Sequence, residues 1–501
     1  VIGKSYKKDK KYTVENRKLI GKMIDEEWMV PNEYFEQYYP DVCVEQETPE
    51  FSDTLRIGCF LVVQKLFRDL QIEDVLSSIF GDLGSFIEDI VSYMITNESC
   101  TFQYYSNFMR NHPVMDKNIR DDTQISRLLK YNIKEEDINL FLRAWNQMNN
   151  TKECIYVGYD STNFNTNAYG IELADYGHPK VDEGLPQYNL AYAVNQKDST
   201  PLFYELYDGS VIDNTELEIM LEEAKEFGHE KLGVLMDRGY ISEKNIKALR
   251  TKGYEYILMM KQNQRICQEI IEEYGAAVQS LEGYYIGEHG VYGTTVKKQL
   301  YGQETNIHVY YDDIRASEEK VALMSRYETW EKEIEKKVAK RIATEGEMKK
   351  YRKVFKLKYD QNGYLVAYQR NSRYIKEEIR NLGFFFIITS EEMSTSKALD
   401  IYRGRDNIEK MFRSLKSGID FNKARVHTTE SLKSKVFVTF IAMIVRNELF
   451  QKAEELRKKN RKAYTVPGMI SELENIECTR NSVGKYRRKY ALTSKQKLIL
   501  K

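Results

Sequence analysis

At Glu153 the rhythm of the chain changes. Upstream, over residues 53–150, segments such as "LRIGCFLVVQKLF", "SFIEDIVSYMIT" and "EDINLFLRAWNQM" repeat apolar residues every three to four positions, which predicts helices. Downstream come short β-rich runs: "CIYVGYD", "YNLAYAVN" and "PLFYELYDGS". A helix is predicted over "NTELEIMLEEAKEFG", with Asn214 as N-cap and Gly228 just past its end. "KLGVLMD", a Ser242-capped helix and the strand "YEYILMM" follow. Three strands, helix, strand, helix, strand predicts an α/β fold around a mixed sheet with crossover connections.

The alternation breaks over residues 262–382. Here "NIHVYYD" alternates, 316–350 reads as a charged helix, and "YRKVFKLKYDQNGYLVAYQRN" reads as a hairpin turning at Asn362-Gly363. The segment is expected as a β-rich insertion, after which "GFFFIITS" resumes a buried strand. A chain of 501 residues exceeds one ordinary core. The expected divisions are a mixed segment 1–52, a helical region 53–150, a core in two parts (151–261 and 383–450) around the insertion 262–382, and a basic helical region 451–501.

Hydrophobic content of 42% and charged content of 30% suit a globular protein. The net charge of −1 names no partner, but residues 421–501 hold 19 Lys/Arg against 7 Asp/Glu, an excess of 12 that points to a polyanion. Six scattered cysteines without C-x-x-C spacing disfavour a zinc site or a disulfide framework and fit a reducing compartment. The longest apolar run, "VFVTFIAMIV", is too short to span a bilayer, and no signal peptide is visible, so a cytoplasmic protein is expected. The first residue is Val1 rather than Met, so either the start codon is unusual or the natural N-terminus is missing.

Residues 402–416, "YRGRDNIEKMFRSLK", are mostly charged. On a single helix at 100° per residue, Tyr402, Arg405, Glu409 and Lys416 fall in an arc of about 60°, Arg413 extends it, and Ile408, Met411, Phe412 and Leu415 face away. A plain stripe of i,i+4 ion pairs such as Arg405–Glu409 would look the same. Two further carboxylates weigh against that bland reading. Asp160 and Asp237 each end a predicted strand, where open α/β sheets present ligand-binding residues. Each alone reads as a turn or capping residue. Three carboxylates converging need a counter-charge, which hard divalent cations supply for phosphodiester chemistry.

Tyr402-x2-Arg405-x3-Glu409-x6-Lys416 resembles the Y-x2-R-x3-E-x6-K signature of DDE transposases from bacterial insertion sequences. "YDSTNF" and "LMDRGYIS" resemble the motifs around that family's two aspartates, and the likeness covers residues 153–450. Ser434-Lys435 stands where the family often has Gly-His or Ala-His, and Ser210 where Asn is usual. The resemblance implies an RNase H-like catalytic core in which Asp160, Asp237 and Glu409 ligate two Mg²⁺, with Mn²⁺ as a substitute. It also implies that Arg405, Arg413 and Lys416 hold DNA phosphates and that Tyr402 contacts the transposon end. The implied partners are double-stranded DNA, as terminal inverted repeats and target, and a second copy of the chain on paired ends. The implied setting is a bacterial nucleoid.

Lys261, Arg425, "RKKNRK" (457–462) and "KYRRK" (485–489) are further candidates for backbone-phosphate contacts. "DTQISRLLK" could belong to a helix-turn-helix reader, but no sharp Gly-containing turn accompanies it. Rival readings are a structure-specific nuclease without strand transfer, a catalytically silent DNA-binding relative, and a two-carboxylate glycosidase, the last disfavoured by the cations around Glu409.

Overall fold

A computed structural model of the chain describes residues 3–7, 12–23, 29–39, 52, 54–116, 120–150, 154–177, 184–211, 213–229, 231–236, 241–340, 346–460, 464–480 and 486–501. It divides into two compact units, Val1–Asp53 and Thr54–Lys501. The first holds two short antiparallel pairs, β1 (Gly3–Lys7) with β2 (Tyr12–Asn16) and β3 (Gly21–Met23) with β4 (Met29–Pro31), then helix α1 (Glu33–Tyr38). Asn32 caps α1 by accepting the Phe35 N–H at 3.1 Å.

The second unit opens with β5 (Thr54–Arg56) and six helices: α2 (Gly58–Asp69), α3 (Ile72–Phe80), α4 (Asp82–Thr96), α5 (Tyr105–Asn111), α6 (Asp122–Tyr131) and α7 (Glu135–Asn149). The sheet strands follow as β6 (Ile155–Asn165), β7 (Gln187–Asn195) and β8 (Pro201–Asp208), then helix α8 (Asp213–Glu226), β9 (Leu232–Met236), α9 (Glu243–Lys252) and β10 (Glu255–Met259). The predicted order is therefore present. Ser242 caps α9 as expected, accepting the Asn245 N–H at 3.2 Å. Asn214 lies inside α8 rather than before it.

The segment expected as one β-rich insertion splits in two. Helix α10 (Arg265–Ser280) and strands β11 (Tyr285–Ile286), β12 (Val291–Leu300) and β13 (Gln303–Tyr311) extend the main sheet, because β13 pairs antiparallel through Asn306–Tyr311 with all of β16 (Phe384–Thr389). Helix α11 (Asp313–Lys340), the hairpin β14 (Phe355–Tyr359) and β15 (Leu365–Arg370), and α12 (Ser372–Arg380) instead close around a small core of their own, built on Tyr327, Tyr351, Phe355 and Leu365.

The nine-stranded sheet has the order β11-β12-β13-β16-β10-β9-β6-β7-β8, parallel only across β10, β9 and β6. One face, carrying Val234, Met236, Leu258 and Phe386, shares a core with α10 residues Ile270 and Ile271. The other meets α13 (Thr395–Arg403), α14 (Asp406–Arg413) and the 32-residue α15 (Thr429–Asn460). Nearly every residue of α15 from Val436 to Val445 is buried, because this helix faces the sheet on one side and α2, α4, α6 and α7 on the other. The helical region thus shares one continuous core with the sheet, and the expected boundary at 450/451 falls inside α15. Helix α16 (Val466–Glu474), strands β17 (Glu477–Arg480) and β18 (Tyr486–Arg488) and helix α17 (Ser494–Ile499) finish the unit, with β17 pairing back onto β5. No described helix is long and apolar enough to cross a membrane.

Candidate active site

β6 supplies the first acid. Gly158, Asp160, Thr162 and Phe164 alternate onto one face of the strand. Pairing puts that face level with Leu235 of β9 (opposite Gly158) and Tyr192 of β7 (opposite Asp160). Asp160 is half-buried, and its Oδ1 accepts the Ser161 N–H at 2.8 Å.

α14 lies across the same face. Ile408 and Phe412 are its buried contacts, with Phe412 edge-on to the Tyr192 ring at 5.9 Å. Asn407 Nδ2 donates to the Gln196 carbonyl at the end of β7, at 3.3 Å. This anchoring leaves Glu409 at the solvent edge, 51% exposed, where its Oε1 accepts from Arg405 Nη2 at 2.6 Å. Past Arg413 the helix widens into a π-helical turn, Ser414–Gly418. From this turn Lys416 passes the Phe164 ring, 5.2 Å from its centroid, and Nζ donates to Thr162 Oγ1 at 2.7 Å. Thr162 is two residues from Asp160 on one face, about 7 Å along a strand. The fold therefore brings the cationic end of the 402–416 stretch onto the strand face that carries Asp160.

The predicted single helix is not continuous. It breaks between α13 and α14 at Gly404–Arg405, where a Cβ on Gly404 would stand 2.6 Å from Gln196 Oε1. Tyr402 belongs to the earlier helix and is buried, 7% exposed, clustered with Leu235, Ile257 and Leu399. The expected five-residue stripe is thus cut at its start by the break and bent at its end by the π turn. Arg405 and Glu409 remain paired, Lys416 reaches β6, and Arg413 is exposed beside a separate cavity with Lys410.

Asp237 lies outside the described residues; in the chain it comes directly after Met236, the last residue of β9. Lys261 is exposed two residues past β10, which runs parallel to β9, so it stands at the same sheet edge. Arg425 is half-exposed and bridges two side chains, donating to Thr101 Oγ1 far back in the chain and, at 3.2 Å, to nearby Asp420. α6 packs Ile125, Leu128 and Leu129 into the common core. Of the basic runs, 461–462 and 485 lie outside the described residues, and Tyr486–Arg488 is exposed.

Sequence reasoning missed Thr162 and Gln196. Thr162 had a usable signal, its two-residue spacing from Asp160 in "YDSTNF". Gln196 had none, since its role comes from the approach of α13 and α14 to the end of β7.

No group of three or more His, Cys, Asp or Glu able to hold a metal ion is gathered among the described residues. The candidate donors Asp160 and Glu409 are carboxylates, a chemistry that fits a hard divalent cation and not a thiolate-seeking one.

A family model described as "Transposase DDE domain" matches residues 157–445, more than half of the chain. The chain belongs to this family of DDE transposases. The match takes in Asp160, Asp237, Glu409 and Lys416 together. Among solved structures, one similar chain comes from a cryo-EM structure of piggyBac transposase in a synaptic complex with hairpin DNA. It shares 9% identity at a TM-score of 0.35, over 78% of this chain and 69% of that one. No curated protein matches.

Proposed function

We propose that this DDE transposase cuts phosphodiester bonds at the ends of a bacterial insertion sequence and joins the freed 3′-hydroxyl to target DNA, with Asp160, Asp237 and Glu409 as its acidic set. The observation that carries the reading is the Lys416–Thr162 bond, which ties the turn following Glu409 to the strand face of Asp160. The β6–β9 pairing adds support. It is parallel and brings β9, whose last residue Met236 directly precedes Asp237 in the chain, alongside the strand that carries Asp160. The order β8-β7-β6-β9-β10, antiparallel and then parallel, is the order an RNase H-like core requires, with α10 to α12 and β11 to β15 inserted after it.

In this reading Asp160, Asp237 and Glu409 would hold two Mg²⁺ (or Mn²⁺) ions. When bound, these ions lower the pKa of the attacking oxygen's proton and offset charge on the leaving oxygen. The chain's own part is positioning. Lys416, fixed by Thr162 and Phe164, presents an ammonium to a backbone phosphate beside Asp160. Arg405 exchanges its contact with Glu409 for a phosphate when DNA enters, freeing the carboxylate. Lys261 tracks the strand along the sheet edge, and the buried Tyr402 sets the packing of α13. Two copies bridge paired ends on nucleoid DNA.

The test is an end-containing duplex with Mg²⁺. Wild type should give cleaved and joined products, and Glu409→Gln neither, with DNA affinity kept within about threefold. Cleavage without any joined product would instead favour a structure-specific nuclease. Equal loss of binding and cleavage in Glu409→Gln would refute the assigned role.

A further inference from the structure

A cavity of about 370 Å³ lies between α14, the π turn, α15 and the N-terminus of α16, away from the Asp160 strand face. Its deepest polar group is Arg446, only 4% exposed. The guanidinium is partly satisfied: Nε donates to Ser414 Oγ at 2.9 Å and Nη2 to Glu98 Oε1 at 2.6 Å. Nη1 is buried with no hydrogen-bond partner. An orphaned charged donor of this kind costs stability unless something accepts from it. At the rim, Lys410 and Arg413 are exposed and join no ion pair among the described residues. Among the described residues, Glu98 is the one carboxylate in the wall, and it is already engaged by Nη2. The remaining wall sets apolar Met411, Met443 and Phe450 beside polar Asn407, Ser417, Asn447 and Arg457.

We propose that this cavity binds a nucleotide. Its phosphate would accept from Arg446 Nη1 with Lys410 and Arg413 alongside, and its base would lie against Met411, Met443 and Phe450. Cationic and apolar side chains lining one pocket match a phosphate joined to a flat ring, and the volume lies in the range of small-molecule sites. The ligand is either a free mononucleotide or an unpaired nucleotide of a bound strand. The inference does not depend on the acidic set of the active site.

The test uses the full chain with deoxyadenosine 5′-monophosphate in calorimetry, and a duplex bearing a 2-aminopurine overhang in fluorescence. Saturable one-to-one binding of the mononucleotide, displaced by inorganic phosphate, supports a free ligand. A fluorescence change with the overhang alone supports a strand nucleotide. In either case Arg446→Gln and, independently, Lys410→Glu should weaken binding about tenfold. Lys410 is exposed, so its variant keeps the test decisive if Arg446→Gln fails to fold. Binding of neither probe, or binding unchanged in Lys410→Glu, overturns the proposal.

Discussion

Two lysines on successive stretches of the chain make the same contacts with opposite consequences. Lys416 passes an aromatic ring (Phe164) and donates to one oxygen (Thr162 Oγ1) at the edge of the active-site face, half-buried. Lys435, on α15, sits 3.5 Å from the Phe102 centroid and donates to the Cys100 carbonyl, with only 2% of its surface exposed. Burial pushes the Lys435 ammonium down to about 8, with Arg425 adding to the shift and Cys100 opposing it. The contact set is alike; access to water differs. A lysine left reachable can exchange its protein acceptor for a phosphate, whereas one sealed between α15 and the 99–102 segment serves only to join the helical region to the sheet.

The comparison is sharpened most strongly at the acids beside Lys416. Asp160→Asn should cut strand cleavage by roughly 10²–10³-fold or more while the melting temperature stays close to wild type, because the removed charge belongs to the chemistry and not to the core. A fall in activity matched by loss of folded protein would break the distinction.

At the buried lysine, the effect should fall on stability and depend on pH. The folded pKa is lowered, so the unfolded chain holds its proton more tightly. The cost of burying the charge is fully present below about pH 8 and fades as pH rises toward the unfolded value near 10.5. Wild type should therefore gain up to about 3 kcal/mol relative to Lys435→Met between those pH values in denaturant titrations. A pH-independent difference would show that the Lys435 ammonium keeps the same pKa folded and unfolded, so that burying it carries no charge penalty.

Between these extremes lies Gly418, whose Cβ would stand 2.6 Å from the Arg446 guanidinium. Gly418→Ala should cost about 1–3 kcal/mol in thermal unfolding, since Ser414 and Glu98 pin the guanidinium in place. The smallest effect is expected for Lys416→Ala. It should leave stability within about 0.5 kcal/mol and flatten the salt dependence of DNA binding by about one phosphate contact. An unchanged salt slope would place Lys416 with Lys435 as a structural residue.

Much of the sheet was legible because its signals are local. Strand period, the Ser242 cap and the order of elements each depend on neighbouring residues, and each reappears in β6 to β10 and α9. Asp160 and Glu409 stand out in the sequence because residue type and motif spacing agree, with Asp160 also at a strand position. Tyr402 was misplaced on the stripe because the break at Gly404 comes from Gln196, a residue 208 positions earlier in the chain. The π turn was invisible for a similar reason: it accommodates Arg446 from another helix. The 53–150 region read as a separate domain because helical periodicity cannot say what covers the apolar face, and its cover, α15, lies some 280 residues further on.

That shared helix limits how this protein can be rebuilt. Excising residues 58–149 to graft on a DNA-reading module would strip one flank of α15 and present an oily column, including Phe437 and Ile441, to water. Retargeting by cassette exchange should therefore yield aggregates rather than a new specificity, and redesign must instead proceed by substitutions on the outer surfaces of the existing helices.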